Sequence, residues 1–261
     1  NPNGLVSILI ATLCAIAASM LGGLIYAFLT ISLRANQNVT GLALTTFGKG
    51  VANFFGVFIL DGASYSAAPV ANKAFAAKIP VLSGLGTVGQ VIFSYGFLVY
   101  AAIVLAVAMH WFLTRTRAGL NLRAVGENPA TADAAGINVT LYKYLSTCIG
   151  AGICGIGGMY MSMVNQSGVW VHNCVAGYGW LAVALVIFST WSPVRGLICG
   201  LIFGAFTIMR LYVSIPGLAM QIYGMLPYAA TILVLIITSI RQSREHAQPK
   251  SCGTNYFREE R

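Results

Sequence analysis

From Gly4 to Leu33 the chain runs for 30 residues without a charged side chain, and from Val91 to Leu113 for another 23. A helix needs about 20 apolar residues to cross a hydrocarbon core roughly 30 Å thick, so each run is long enough to span a membrane. Five further runs approach that length: Gly41 to Leu60, interrupted by Lys49, then Leu145 to Val164, Cys174 to Thr190, Gly196 to Val213 and Gln221 to Ile240. Only helices and closed barrels satisfy every backbone group in lipid, and no ten-residue alternating segments of the barrel type occur. The sequence therefore predicts an all-α, polytopic transmembrane helical bundle of about seven spans. Its composition agrees, with 57% hydrophobic and 8% charged residues against roughly 25% charged in a soluble domain.

The net charge of +9 could mark a nucleic-acid surface only if the basic residues shared one folded face. They instead flank the spans. With seven alternating spans, Arg34, the group Arg115, Arg117, Arg123 and Lys143, then Arg195, Arg241 and Arg244 all fall on one side, which the positive-inside rule makes cytoplasmic. Nucleic acid is excluded as a partner and membrane lipid is implied. The cysteines form no CxxC pair and His110, His172 and His246 lie far apart, so no metal site is expected. The chain opens on Asn1 without a charged leader, which does not read as a signal peptide.

The longest cytoplasmic connection, 115–143, carries a local helix signal. Asn128 is a good N-cap, Pro129 suits the first helical turn, alanines follow, and Gly136 supplies a stop. The expectation is a two-turn helix outside the membrane, too short to hold alone in water. It is suited either to docking in another protein's groove or to serving as a capped turn between two spans. The span that follows is crowded with glycines from Gly150 to Gly158, which let helix backbones approach closely in a bundle.

The run Arg123-Ala-Val-Gly-Glu-Asn-Pro-Ala-Thr-Ala-Asp-Ala-Ala-Gly-Ile-Asn-Val139, with the Gly-rich span after it, resembles the cytoplasmic coupling segment of bacterial ABC-type importer permeases. The branch is that of simple sugars such as ribose, closest to the permeases of nucleoside uptake that work with basic-membrane-protein-type lipoproteins. Leu33 to Leu44 and Ile79 to Ser83 are similar to it as well. The general importer motif has Glu-Ala-Ala and an Ile-x-Leu-Pro tail; here stands Ala-Asp-Ala-Ala-Gly without that tail. Members usually carry a further N-terminal portion ahead of the point where this chain starts.

The resemblance implies a permease domain over 1–244, followed by a polar tail over 245–261. It implies no enzyme and no cofactor on this chain: ATP is bound and hydrolysed by a separate ATP-binding cassette protein that docks on the coupling helix. Arg123, Gly126, Glu127, Asn128, Pro129, Ala130, Ala132, Gly136 and Ile137 are then the ATPase-coupling residues. A second homologous permease and an extracellular substrate-binding lipoprotein complete the importer, in the bacterial inner membrane, with nucleosides or related sugars as cargo.

Other residues stand out on chemistry. Lys49 lies deep in an apolar run, where an ionisable group is costly; a broken or re-entrant segment, an ion pair with Asp61 or with another chain, and a place on the substrate path are the readings open to it. Arg210 snorkels from the end of its run. Trp170, His172, Asn173, Tyr178 and Trp180 form either an interfacial aromatic belt or the mouth of a path in which Asn165 and Gln166 donate hydrogen bonds. The candidate path is thus Lys49, Asn165, Gln166, Tyr178 and Trp180. The polar tail is expected to be disordered. The rival function is a stand-alone secondary transporter of a small polar solute, which calls for intramembrane Asp or Glu; none of the seven runs contains one between its ends.

Overall fold

The computed structural model describes residues 4–60, 73–75, 95–175, 177–212 and 249–257, together with Met225, Ala229, Ile232 and Ile236. The chain divides into two compact units, one of Asn1–Ala102, Leu120–Val175 and Ser251–Arg261, the other of Ile103–Gly119 and Ala176–Lys250.

Helix α1, Gly4–Ala27, ends in a π-helical turn, Phe28–Ser32. Arg34 then takes a left-handed conformation (φ 55) and turns the chain into α2, Gln37–Leu60. Asn36 caps α2 by accepting from the Asn38 and Val39 amides at 3.0 and 3.1 Å, which satisfies two of the donors every helix start leaves open. Helix α3 is Phe97–Arg115, α4 is Arg117–Glu127, α5 is Pro129–Ala134 and α6 is Val139–Tyr160, which runs on as a π-helical turn through Asn165. Helix α7, Tyr178–Phe188, and α8, Pro193–Tyr212, belong to the second unit.

Among the described residues, three helical stretches are long and apolar enough to cross a membrane: Gly4–Ser32, Phe97–Arg115 and Val139–Asn165. They coincide with the first, third and fourth sequence runs. The second run, where a break at Lys49 was one expectation, forms the unbroken helix α2 instead. The fifth run is a correction. Cys174 to Thr190 was expected to span, yet only Tyr178–Phe188 is helical, 11 residues or about 17 Å at 1.5 Å per residue, half of a hydrocarbon core. Gly177, at φ 87, starts it late. At the other end Thr190 and Trp191 (φ 48 and 55) are consecutive left-handed residues, a conformation costing about 1–3 kcal/mol each without glycine. The Ser189 hydroxyl holds the turn through the Val186 carbonyl, and Arg195 donates to the Thr190 hydroxyl at 2.5 Å. The seventh run lies outside the described residues apart from the four single positions above, each in helical backbone.

The first unit is built on α1 against α6. Contacts run Thr12 to Met159, Ser19 to Ala151 and Ser32 to Tyr144, so the two helices are antiparallel. The Ser19 hydroxyl donates to the Ala151 carbonyl at 2.5 Å, a bond that tightens a packing otherwise made by small residues. Not every glycine of the Gly150–Gly158 stretch serves it. Gly152 and Gly155 face α1, with Met20, Ile16, Ala15 and Ser19 against them, while Gly150, Gly157 and Gly158 meet nothing among the described residues.

Candidate functional site

The connection between α3 and α6 is more structured than its sequence suggests. α3 stops at Thr116, whose hydroxyl donates to the Phe112 carbonyl at 2.7 Å and accepts from the Gly119 amide at 3.1 Å. A Cβ at Gly119 would strike the Phe112 carbonyl, so this turn needs glycine. The chain re-enters a helix at once as α4, a three-turn element that sequence reasoning missed. Leu122 and Val125, three residues apart on its inward side, with Arg117, Arg123 and Glu127 exposed, are the helical spacing that could have found it.

Helix α5 then forms as its sequence predicts. The Asn128 carboxamide accepts from the Thr131 amide at 3.1 Å, and Pro129 occupies the first turn. At the far end Gly136 (φ 82) donates to the Asp133 carbonyl and Ile137 to the Ala132 carbonyl, both at 3.0 Å. That pair of bonds is a Schellman motif, and the accompanying apolar contact is present, because Ile137 packs on Ala132. Asn138 immediately caps α6 by accepting from the Leu141 amide at 3.0 Å. Replacing Asn128 by Ala is expected to cost about 1 kcal/mol and to speed amide exchange at Thr131, read by hydrogen–deuterium exchange, without altering membrane insertion.

The residues expected to couple separate into two sets. Val125, Ala132 and Val139 form a small buried cluster, 2, 3 and 5% exposed, closed by Ile137, Tyr142 and Tyr256. Ala132 and Ile137 therefore anchor α5 from beneath. Arg123, Glu127, Asn128 and Gly136 are exposed, as are Thr131, Ala134 and Ala135, while Gly126, Pro129 and Ala130 are half-buried. The outward face of α5 thus consists of small, uncharged side chains on a capped and clamped backbone.

The described part of the tail departs from the expected disorder. Residues 251–257 pack as a turn on this same segment. The Ser251 amide donates to the Gly126 carbonyl at 3.1 Å, the Ser251 hydroxyl to the Val125 carbonyl at 3.2 Å, and the Tyr256 hydroxyl to the Asp133 carboxylate at 2.9 Å. Sequence gave no warning, since the partners are over a hundred residues apart.

The candidate path residues are more scattered. Lys49 is exposed at mid-length on α2. Two turns further on the same face, Gly56 lies directly beneath the Trp170 indole, so that a Cβ there would run into the ring. The loop after α6 therefore meets α2 on the face that carries Lys49. Asn165 is exposed, with its amide directed at the Met161 sulfur at 3.3 Å, and Gln166 is half-buried. Tyr178 and Trp180 are exposed residues of the second unit. Gly56→Leu should expel the indole from α2 and shift tryptophan emission to the red; Gly56→Ser should do so less.

Three helices long and apolar enough to cross a membrane, with a short capped helix between two of them, fit a membrane protein of the permease kind. Residues 2–235 match the family described as branched-chain amino acid transport system, permease component, and the chain belongs to that family. It is 33% identical over 269 residues to a putative glucose ABC transporter permease protein of Haloferax volcanii, covering 94% of this chain and 79% of that one. It is 32% identical over 243 residues to the nucleoside ABC transporter permease NupC of Lactococcus lactis, covering 90% and 73%. It is 34% identical over 238 residues to the guanosine ABC transporter permease NupQ of Bacillus subtilis, covering 87% and 72%. No solved structure matches.

Proposed function

We propose that this chain is the transmembrane subunit of an ATP-driven importer that carries nucleosides or related simple sugars across the bacterial inner membrane. The observation that carries the reading is α5: a two-turn helix, capped at both ends and anchored from below by Ala132, which offers Thr131, Ala134 and Ala135 outward on the basic side. Its relatives by sequence are nucleoside and sugar permeases. An element this small binds a groove in a partner, and rigid mounting lets the partner's movement reach the spans.

The partner is an ATP-binding cassette protein, which binds and hydrolyses ATP. The run Thr45-Thr-Phe-Gly-Lys-Gly50, shorter than the Gly-x-x-x-x-Gly-Lys-Ser/Thr phosphate loop, is continuous α2 helix with its amides committed to the helix. A second homologous permease and an extracellular substrate-binding lipoprotein complete the assembly. Within the first unit, Lys49, Asn165 and Gln166 are the candidate substrate-path residues, with Trp170 seated over Gly56 on the α2 face that carries Lys49; Tyr178 and Trp180 are candidates by sequence in the second unit.

Reconstitution of the permeases with their ATP-binding and lipoprotein partners in vesicles tests the reading. Guanosine, with glucose as the comparison, should accumulate only when ATP is supplied to the ATP-binding side. Accumulation driven by a proton or sodium gradient without ATP would establish the stand-alone carrier.

A further inference from the structure

The bonds of the tail extend beyond α4 and α5. The Asn255 carboxamide donates to the Arg34 carbonyl at 2.5 Å and points to the Ala35 carbonyl at 3.4 Å, in the turn that joins α1 to α2. The Gln37 side-chain carboxamide, at the start of α2, donates to the Thr254 carbonyl at 3.4 Å. The Arg34 guanidinium lies over the Phe257 ring, 4.7 Å from its centroid, and the Lys143 ammonium of α6 lies 6.0 Å from the centre of the Tyr256 ring. Gly253, at φ 80, makes the bend that lets Ser251 reach one side and Asn255 the other.

Four residues of this seven-residue segment thus bond to four elements. Ser251 holds the end of α4, Tyr256 holds α5 through Asp133 and fills the cluster around Ala132, Asn255 holds the α1–α2 turn, and Thr254 holds the start of α2. α5 itself packs on α6. Its tie to the α1–α2 turn runs through this segment, and each of these contacts bridges positions far apart in sequence.

We propose that residues 251–257 are a strap that joins the coupling helix to the α1–α2 turn, making the two a single docking platform for the ATP-binding subunit. Displacement of α5 then reaches α1 and α2 together with α6. A coupling helix mounted on α6 alone would reach α1 only through the α1–α6 packing; the strap adds a direct tie to the α1–α2 turn and the start of α2. The inference deepens the importer reading and rests on it for the identity of the partner, whereas the strap itself is a property of this chain.

The test uses the full-length permease in lipid nanodiscs, as wild type, Tyr256→Phe, Tyr256→Ala and Asn255→Ala, with two readouts. The first is hydrogen–deuterium exchange over 124–137 and 33–38. Loss of a bond worth about 1 kcal/mol raises local opening several-fold. Tyr256→Ala should accelerate exchange in 124–137 by roughly tenfold, as the ring leaves the cluster and the bond to Asp133 is lost together. Tyr256→Phe, which retains the ring, should show a smaller rise. Asn255→Ala should accelerate 33–38 and, through the strap, 124–137 as well. The second readout is capture of the ATP-binding protein, which Tyr256→Ala should weaken.

Unchanged exchange over 124–137 in both Tyr256→Ala and Asn255→Ala overturns the strap, whatever the capture result. Faster exchange confined to 33–38 in Asn255→Ala also overturns it, because the two sites would then be independent. Failure of wild type to capture any ATP-binding protein overturns the importer reading instead, and the exchange data still decide the strap.

Discussion

Gly155→Leu is expected to part α1 from α6 and leave the permease unable to hold its first unit together. A Cβ on Gly155 would stand 2.6 Å from the Ala15 carbonyl oxygen and 2.7 Å from the Ser19 Cβ. Backbone is the nearer obstacle, so no change of rotamer gives relief. Separating the helices also breaks the Ser19 hydroxyl bond to the Ala151 carbonyl. Overpacking alone costs about 1–3 kcal/mol, and loss of a polar contact inside a membrane bundle adds about 0.6 kcal/mol or more. Gly155→Ala should already lower the thermal midpoint of the detergent-solubilised protein, and Gly155→Leu should abolish a cooperative transition. Gly157→Ala and Gly158→Ala, at positions with no neighbour in reach among the described residues, should leave the midpoint unchanged or raise it. Equal sensitivity at all three glycines would contradict the assignment of the packing face.

The second large effect is expected from Ala132→Glu. Ala132 is surrounded by Val125, Val139, Ile137 and Tyr256, and the closest carboxylate on its own helix is Asp133. A glutamate there either buries a charge without a partner, at about 3–5 kcal/mol by analogy with broken buried pairs, or forces α5 off its seat. α5 is six residues long and has no independent stability, so the second outcome follows. Exchange protection over 128–137 should vanish while α1 and α6 remain protected. Ala134→Glu, on the exposed face, should leave that protection intact. The pair separates a mounting residue from a contact residue, a distinction invisible in the string of alanines.

What the sequence reveals, and what it hides, divides along one physical line. Asn128, Pro129 and Gly136 are legible because each acts on backbone groups within a few residues, and the caps and the Schellman bonds appear where they are expected. Long apolar runs are legible too, since span length is a count. The short α7 is hidden, because its limits are set by the backbone conformations of Gly177, Thr190 and Trp191, which hydropathy does not register. Pro193, at the first turn of α8, is the local cue to that second boundary.

The tail shows the opposite limit. Ser251, Asn255 and Tyr256 sit in a polar stretch whose composition suggests disorder, yet each has a partner in a distant element. Nothing local marks such pairings. Likewise Trp170 reads as one aromatic among several near a membrane surface, and only its place over Gly56 gives it a specific seat. Which glycines of α6 face α1 is a matter of rotation about the helix axis, and the crowding of glycine on every side of that helix conceals it.

Capture of the ATP-binding protein by full-length permease bearing Ala134→Arg or Thr131→Arg addresses the central claim most directly. Both side chains project from the outward face of α5 and neither takes part in the buried cluster. Wild-type permease should retain the ATP-binding protein through purification. Each variant should insert normally, keep wild-type exchange protection over 128–137, and lose capture by roughly tenfold or more, as expected for a bulky charge set into a fitted groove. Normal capture by both variants, with the permease folded, would contradict the assignment of α5 as the coupling helix.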